Sequence, residues 1–435
     1  MATDLVKEAK ERGIEYFLIS FVDLFGVMRA KLVPARAIGD MAKEGAGFAG
    51  FAAWLDMTPA HSDMFAVPDP DSLIQLPWKP NVAWLAADLY IDGEEVAHAP
   101  RNTLKRVLKV GEAKGWRLRH GVECEYFLIS EDGTALADEA DTQAKPCYDV
   151  QALMRRYDVI SEICDAMIAL GWGPYQNDHE DANGQFEMNW DYADALVTAD
   201  RHAFFKYMVK SVAEKHGLRA TFMPKPFPHL TGNGCHAHVS LWNKSGKKNL
   251  FEDKKGELGI STLGYNFLGG IMGHAKALCA IGNPTVNSYK RLNAPRTTSG
   301  ATWSPNTITY GGNNRTHMVR IPDAGRLELR LADGAANPYL LPAALMAAGM
   351  DGIETKAEPG TRLDIDMYAE PEKAGAVERL PLNLLDALRA LEADTTLAAG
   401  LGEETVAAFT KLKHAEWSDF TRSLTPWERE NTLDC

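Results

Sequence analysis

Four apolar stretches of this chain carry polar residues two positions apart. In 121–129, Glu123 and Glu125 flank Cys124. In 235–241, His236, His238 and Ser240 alternate with apolar neighbours, in 326–331 Arg326, Glu328 and Arg330 alternate with leucines, and in 185–189 the set is Gln185, Glu187 and Asn189. A strand has a side-chain period of two, so each set occupies one face. A solvated strand face gives the same alternation, but its usual residues are Lys, Thr, Ser and Glu. Glu, His and Arg are the types that ligate cations and phosphates. Glu123 and Glu125 also repel each other unless a cation lies between them. The segment 178–187 adds Glu180 and Glu187, which gives more carboxylates than one metal needs and implies two or more ions. Arg291, Arg315, Arg320, Arg326 and Arg330 fall in one stretch of an acidic protein, as expected of a clamp for oxyanions. Metals held by carboxylates together with arginines describe phosphoryl transfer by positioning and charge neutralisation. There is no Walker-type glycine loop, so a nucleotide has to be held in another way.

Polar faces backed by apolar ones predict a sheet that curves around a polar hollow, with helices packed behind it. The helices are expected over 102–114, 150–170, 198–216 and 262–280, and from Asn337-Pro338 through 350, with proline in the first turn. Before them come a helix over 1–13 that stops at glycine, strands over 16–23 and 27–33, a Gly/Ala-rich loop over 45–53, a proline-punctuated stretch over 68–80, and a strand over 84–91. A boundary is expected over 97–101, between a small mixed N-terminal domain and a larger α/β domain.

At 435 residues the chain suits two domains better than one. Its net charge of −13 argues against a nucleic-acid or anionic-membrane binder. The six cysteines are dispersed, with no CxxC pair, as expected of reduced thiols in a cytoplasm. No signal-peptide core and no apolar run of roughly 20 residues is present, so cytoplasmic residence is the expectation.

Further motifs follow in order: His179-Glu180 with Gly184-Gln-Phe-Glu187, Thr221-Phe-Met-Pro-Lys-Pro226, Gly234-Cys-His-Ala-His238, Asn283-Pro-Thr-Val-Asn-Ser-Tyr-Lys-Arg291, Arg315 with Arg320-Ile-Pro322, and Ala335-Ala-Asn-Pro-Tyr339. Their content and order closely resemble bacterial glutamine synthetases over nearly the whole chain, most strongly over 121–352. The resemblance implies an α+β fold, with a β-grasp-like domain over 1–98 and a catalytic domain over 99–435 whose curved antiparallel sheet forms a funnel. It implies dodecamers of two stacked hexameric rings with active sites shared between neighbours. Glu125, Glu180 and Glu187 are then expected to hold one Mg²⁺ or Mn²⁺, and Glu123, His236 and Glu328 another. Arg315 and Arg330 would neutralise the transferring phosphate. Arg291, Gly232 and Arg330 would bind the acid substrate, glutamate, and Tyr148 matches an amine-pocket tyrosine. His238, Ser240, Arg320 and Arg326 match contacts to ATP, and Tyr192 a ring near the adenine. The implied reaction joins glutamate to an amine through γ-glutamyl phosphate.

The amine half departs from the family's pattern. Counting back from Ser62-Asp63-Met64 puts Ala49 where an aspartate closes the ammonium pocket. The loop over 292–316 is longer than usual and contains no Asp or Glu. Thr231 stands where the family usually has an asparagine or an acid, and Tyr368 aligns with a tyrosine that some members modify, although a buried or ordinary surface tyrosine is the plainer reading. A less anionic pocket walled by Trp54, Trp303 or Phe51 predicts a small alkylamine, most simply methylamine, with γ-glutamylmethylamide as product. Ammonia is the alternative acceptor. A catalytically inactive structural or regulatory homologue is the alternative of another class, against which the retention of all six metal-ligand positions speaks.

Overall fold

The computed structural model describes residues 3–435, so Met1 and Ala2 of the expected first helix lie outside the described residues. That helix runs Leu5–Arg12. Asp4 caps it by accepting from the Val6 and Lys7 N–H groups, and Gly13 ends it in the left-handed region. A seven-stranded sheet follows. Its main path is Met28–Pro34, Tyr16–Val22, Val82–Ile91, Met64–Pro68 and Ala46–Phe48, with two short strands also on Val82–Ile91. Tyr16–Val22 pairs antiparallel with Met28–Pro34 and parallel with Val82–Ile91. The near-continuous apolar run of Val82–Ile91 suits a central strand covered on both faces.

Helix Pro100–Ala113 opens with its proline and carries Arg101 into a buried ion cluster. Arg101 donates to Asp69 (2.8 Å) and Asp88 (2.6 Å) of the N-terminal sheet region and to both oxygens of Asp200 (3.0 and 2.9 Å) in helix Ala195–Lys215. Tyr339 donates to Asp200 from 2.8 Å. This cluster joins the sheet to the helices behind the catalytic strands.

The catalytic strands form two sheets. Six strands lie in the order Ala193–Asp194, Trp116–Cys124, Cys235–Asn243, Leu327–Leu329, Val319–Arg320 and Tyr310–Gly311. Four lie in the order Gln176–His179, Gln185–Asn189, Tyr126–Ile129 and Arg219–Thr221. All pair antiparallel except Tyr310–Gly311 with Val319–Arg320. The single strand expected over 121–129 is therefore interrupted at Glu125, where the chain leaves one sheet for the other. The cause is local. The Glu125 N–H donates to the Gly234 carbonyl (3.2 Å), and its carboxylate accepts from the Gly234 N–H (2.6 Å) and Gln185 Nε2 (3.0 Å). The expected funnel is thus two sheets that meet beside Glu125.

Two expected helices are also divided. The first becomes Val150–Arg155 and Tyr157–Ala169, with Arg156 outside helical geometry. The second becomes Thr262–Gly273 and Ala275–Gly282, parted at His274, whose ring lies between Asp394 (2.5 Å) and Asp351 (3.1 Å). Apolar spacing continues through both breaks, which hides them from a periodicity reading. Asn337 precedes the next helix rather than opening it. Its Oδ1 accepts from the Tyr339 and Leu340 N–H groups, and Leu340–Thr355 follows. That helix crosses Thr262–Gly273 closely, since a Cβ on Gly349 would lie 2.1 Å from the Phe267 ring. No helix among the described residues is long and apolar enough to cross a membrane.

Candidate active site

The two sheets and the loops around them enclose two hollows that share Glu123. One, of about 840 Å³, is lined by Tyr192, His238, Ser240 and Arg326 together with Arg119 and Asn189. The other, of about 1000 Å³, is lined by Glu125, Glu180, Glu187, His236, Arg291, Arg315, Arg320 and Arg330, with Tyr148 and Gly232. Arg320, expected with the nucleotide residues, faces the second hollow. Glu328 is fully buried beneath it.

The carboxylates fall into two electrostatic classes. Glu123 lies 3.2 Å from His236 Nδ1 and 2.8 Å from His238 Nε2. Burial opposes its ionisation, but these two imidazoles outweigh that and hold its pKa far below the usual range. Glu328 receives Arg330 Nη1 at 2.6 Å and Arg320 Nη1 at 2.7 Å. Burial again opposes ionisation, and Arg330, ahead of His236 and His238, brings the pKa down to about 2. Glu180 behaves oppositely. Burial first, then the charges of Glu125 and Asp178, pushes its pKa up to about 8. Glu187 is raised well above the usual range by burial and by Glu123, Glu180 and Glu125. Glu187 accepts from Asn189 Nδ2 (2.9 Å) and Glu180 from the Asp181 N–H (3.1 Å), but among the described residues neither forms a salt bridge.

Such a donor set suits a hard divalent ion. Carboxylate oxygens with one neutral imidazole are the ligands Mg²⁺ and Mn²⁺ accept, and burial together with the Arg330 charge keeps His236 below its ordinary pKa. Donor atoms close enough to share an ion occur as Glu123, Glu187 and His236, and as Glu123, His238 and Glu328. The resemblance grouped Glu125 with Glu180 and Glu187, and Glu123 with His236 and Glu328. Here Glu123 is common to both groups, His238 joins one, and Glu125 is held by Gly234 and Gln185. A third cluster, Cys124, His202 and Cys235, is fully buried and lines neither hollow.

The arginines differ in their commitments. Arg291 is buried and donates to the Leu331 (3.0 Å) and Arg330 (3.4 Å) carbonyls. Arg326 is paired with Asp323 at 2.7 Å. Arg315 is exposed, and among the described residues no side chain or carbonyl engages it, which leaves its fork for an incoming oxyanion. The acid-free loop enters the second hollow through Trp303, while Trp54 and Phe51 stand half-exposed on the N-terminal region and do not line it. Tyr148 and Trp303, the two aromatic walls, both have positive φ, 63° and 52°, backbone that bulky residues rarely adopt. Tyr368 is partly buried and donates to the Ser304 carbonyl (3.3 Å), which makes it a support for the loop.

Asp181 is the residue that sequence reasoning passed over. It lines the second hollow and accepts three side-chain hydrogen bonds, from Trp303, Ser299 and Thr231. The signal was its place in the His179-Glu180-Asp181 motif. The loop itself carries no acid, and the charge sits on the element the loop closes over.

Comparison with known proteins identifies the family. The family model described as "Glutamine synthetase, catalytic domain" matches residues 97–432. The chain belongs to the glutamine synthetase family. A "Glutamine synthetase" of Rhizobium leguminosarum bv. phaseoli is 64% identical over 434 residues, covering 100% of both chains. A "Glutamate--methylamine ligase" of Methyloversatilis universalis is 43% identical over 435 residues, covering 98% of this chain and 97% of that protein. A solved structure described as "GmaS/ADP complex-Conformation 1" is 72% identical with a TM-score of 0.96, covering 100% of both chains. Membership in the glutamine synthetase family makes the chain an ATP-dependent ligase of glutamate and an amine. Divalent metals are the family's usual partners, and the uncompensated carboxylates of this chain fit that use.

Proposed function

We propose that the chain condenses the γ-carboxylate of glutamate with methylamine, driven by ATP. Glu123, Glu125, Glu180, Glu187, His236 and Glu328 hold two or more Mg²⁺ or Mn²⁺ ions, whose charge neutralises the phosphates and polarises the transferring group. His238, Ser240, Arg326 and the Tyr192 ring take the nucleotide in the first hollow, and the relative described with ADP supports that reading. Arg320 turns from its expected nucleotide contact toward Glu328 and helps fix it. Arg291, Gly232 and Arg330 orient glutamate. Its γ-carboxylate oxygen attacks the ATP γ-phosphorus as the bond to ADP breaks, and Arg315 and Arg330 stabilise the charge that develops. The bound alkylammonium gives a proton up to solvent, and the neutral amine nitrogen attacks the carbonyl carbon of γ-glutamyl phosphate. Phosphate then leaves with the electrons of the C–O bond and takes the second proton from the nitrogen. Tyr148 borders the amine's approach.

The observation that carries the choice of methylamine is the acid-free loop, which puts the apolar ring of Trp303 into the hollow where a smaller side chain would suit ammonium. The methylamine ligase relative supports the same reading. Ammonia is the second reading, favoured by the 64% identical relative's name. Comparing kcat/KM for the two amines decides between them. A higher value for methylamine is expected, and an ammonia preference of about tenfold or more, roughly 1.4 kcal/mol, would overturn it. We also infer a domain boundary near residue 98 and a ring assembly, a dodecamer of two stacked hexamers, in which the exposed Phe51 and Trp54 come to face a neighbour.

A further inference from the structure

We propose that Asp181 and Trp303 together form the subsite for the incoming amine, the carboxylate drawing the alkylammonium and the indole covering its alkyl group. This rests on the amide-forming reading above.

The two places in the catalytic domain where the chain leaves its family's pattern are the acid-free loop and Thr231, and they meet at one atom. Asp181 Oδ2 accepts from Trp303 Nε1 at 2.7 Å, from Ser299 Oγ at 2.5 Å and from Thr231 Oγ1 at 3.1 Å. The loop is fastened again where the Thr298 N–H and hydroxyl donate to the His229 carbonyl, at 2.9 and 3.0 Å. All three side-chain donors converge on Oδ2, and among the described residues none reaches Oδ1. Asp181 is only 8% exposed, and what remains open faces the hollow. Oδ1 therefore opens onto the hollow, free to take a donor from a ligand there.

Of the three substrates, ATP and glutamate bring the phosphates and carboxylates to which the arginines donate. Cations come with the amine and with the α-ammonium of glutamate, and the amine is the one whose cation carries a bare alkyl group for the Trp303 indole, so the glutamate KM measured below tells the two apart. Methylammonium has three N–H donors for Oδ1 and its neighbours, and a methyl group with no hydrogen bond to make. The indole that donates to Oδ2 borders the same hollow, so charge and apolar wall are offered side by side. Asp181 thereby supplies from the strand-to-strand turn the negative charge that the loop lacks. Trp303 makes the subsite selective, because an ammonium ion leaves the volume beside the ring unfilled.

Substitution separates this role from mere anchoring of the loop. Asp181→Asn keeps an oxygen for Trp303, Ser299 and Thr231 but removes the charge. The expected result is a methylamine KM raised about tenfold or more, with KM for ATP and glutamate within about twofold and an unchanged melting temperature. An unchanged methylamine KM overturns the proposal, and so does a rise in all three KM values together with a lowered melting temperature, the mark of an anchor alone. Trp303→Leu gives an independent reading. The ratio of kcat/KM for methylamine over ammonia should fall about tenfold, and a preserved ratio overturns the wall. A wild-type enzyme that makes no γ-glutamyl amide from either amine removes the functional reading itself. An active wild-type with unaffected variants removes only this subsite.

Discussion

Two buried clusters of charge in this molecule are built on opposite principles. At the junction of the N-terminal sheet and the helices, Arg101 meets Asp69, Asp88 and Asp200, Lys105 adds a second cation to Asp88, and Tyr339 donates to Asp200. Burial alone would lower the Arg101 pKa and raise that of Asp69, but the partners reverse both shifts. In the second hollow Glu180 and Glu187 are raised by burial and by neighbouring carboxylates, and among the described residues neither is in a salt bridge that would reverse the shift. The first cluster is complete in the protein alone and fixes how elements pack. The second is left short of positive charge, as a site made to receive cations would be.

Breaking the complete cluster should have the largest effect. Arg101→Met leaves three buried carboxylates without their donor and is expected to cost about 3–5 kcal/mol in denaturant unfolding, equally with and without Mg²⁺. Glu187→Gln should do the reverse. The metal-free protein keeps or gains stability because a repelled buried charge is gone, while Mn²⁺ affinity and turnover fall by roughly 10–100-fold or more; a stability loss like that of Arg101→Met would erase the distinction.

The clusters should also part company with pH. Glu180 keeps its proton in the folded metal-free protein up to about 8 but loses it near 4.5 when unfolded. Its contribution is therefore present below the unfolded value and is lost as pH rises toward 8. A divalent ion binds the ionised form, so the gain in melting temperature on adding Mg²⁺ should grow between about pH 6 and about pH 8.5. Asp69 is depressed despite its burial, chiefly by the Arg101 charge and hydrogen bond, and its contribution is flat over that range, being lost only as pH falls through its lowered value.

His274 gives the smallest effect and extends the self-sufficient class. Asp394 first, then Asp351, raises its pKa against burial. The stability it adds is complete below 6.5 and disappears as pH rises through the raised folded value. His274→Gln should cost about 1 kcal/mol near pH 6 and much less near pH 9, as read from paired denaturation curves.

Much of this was legible in the residues themselves. Alternation placed Glu123, His236, His238 and Glu328 on strands that prove to be neighbours in one sheet, because period two survives even in the three-residue strand Leu327–Leu329. The interruption at Glu125 was not legible, since it depends on Gly234, more than a hundred residues away, to supply a carbonyl and an N–H. Arg320's turn toward Glu328 needed the pairing of Val319–Arg320 with Leu327–Leu329, strands too short to register from periodicity. Asp181 was hidden for a related reason. A loop without acids reads as a pocket without charge until folding brings Trp303 onto a carboxylate 122 positions earlier.

The most direct test is a count of Mn²⁺ bound per chain by equilibrium dialysis near pH 8, with wild-type protein beside Glu187→Gln and Glu328→Ala. Two or more ions per wild-type chain, with at least one lost in each variant while the fold is kept, is the predicted result. Wild-type protein that binds no Mn²⁺, or variants that bind as many ions as it does, would contradict the account.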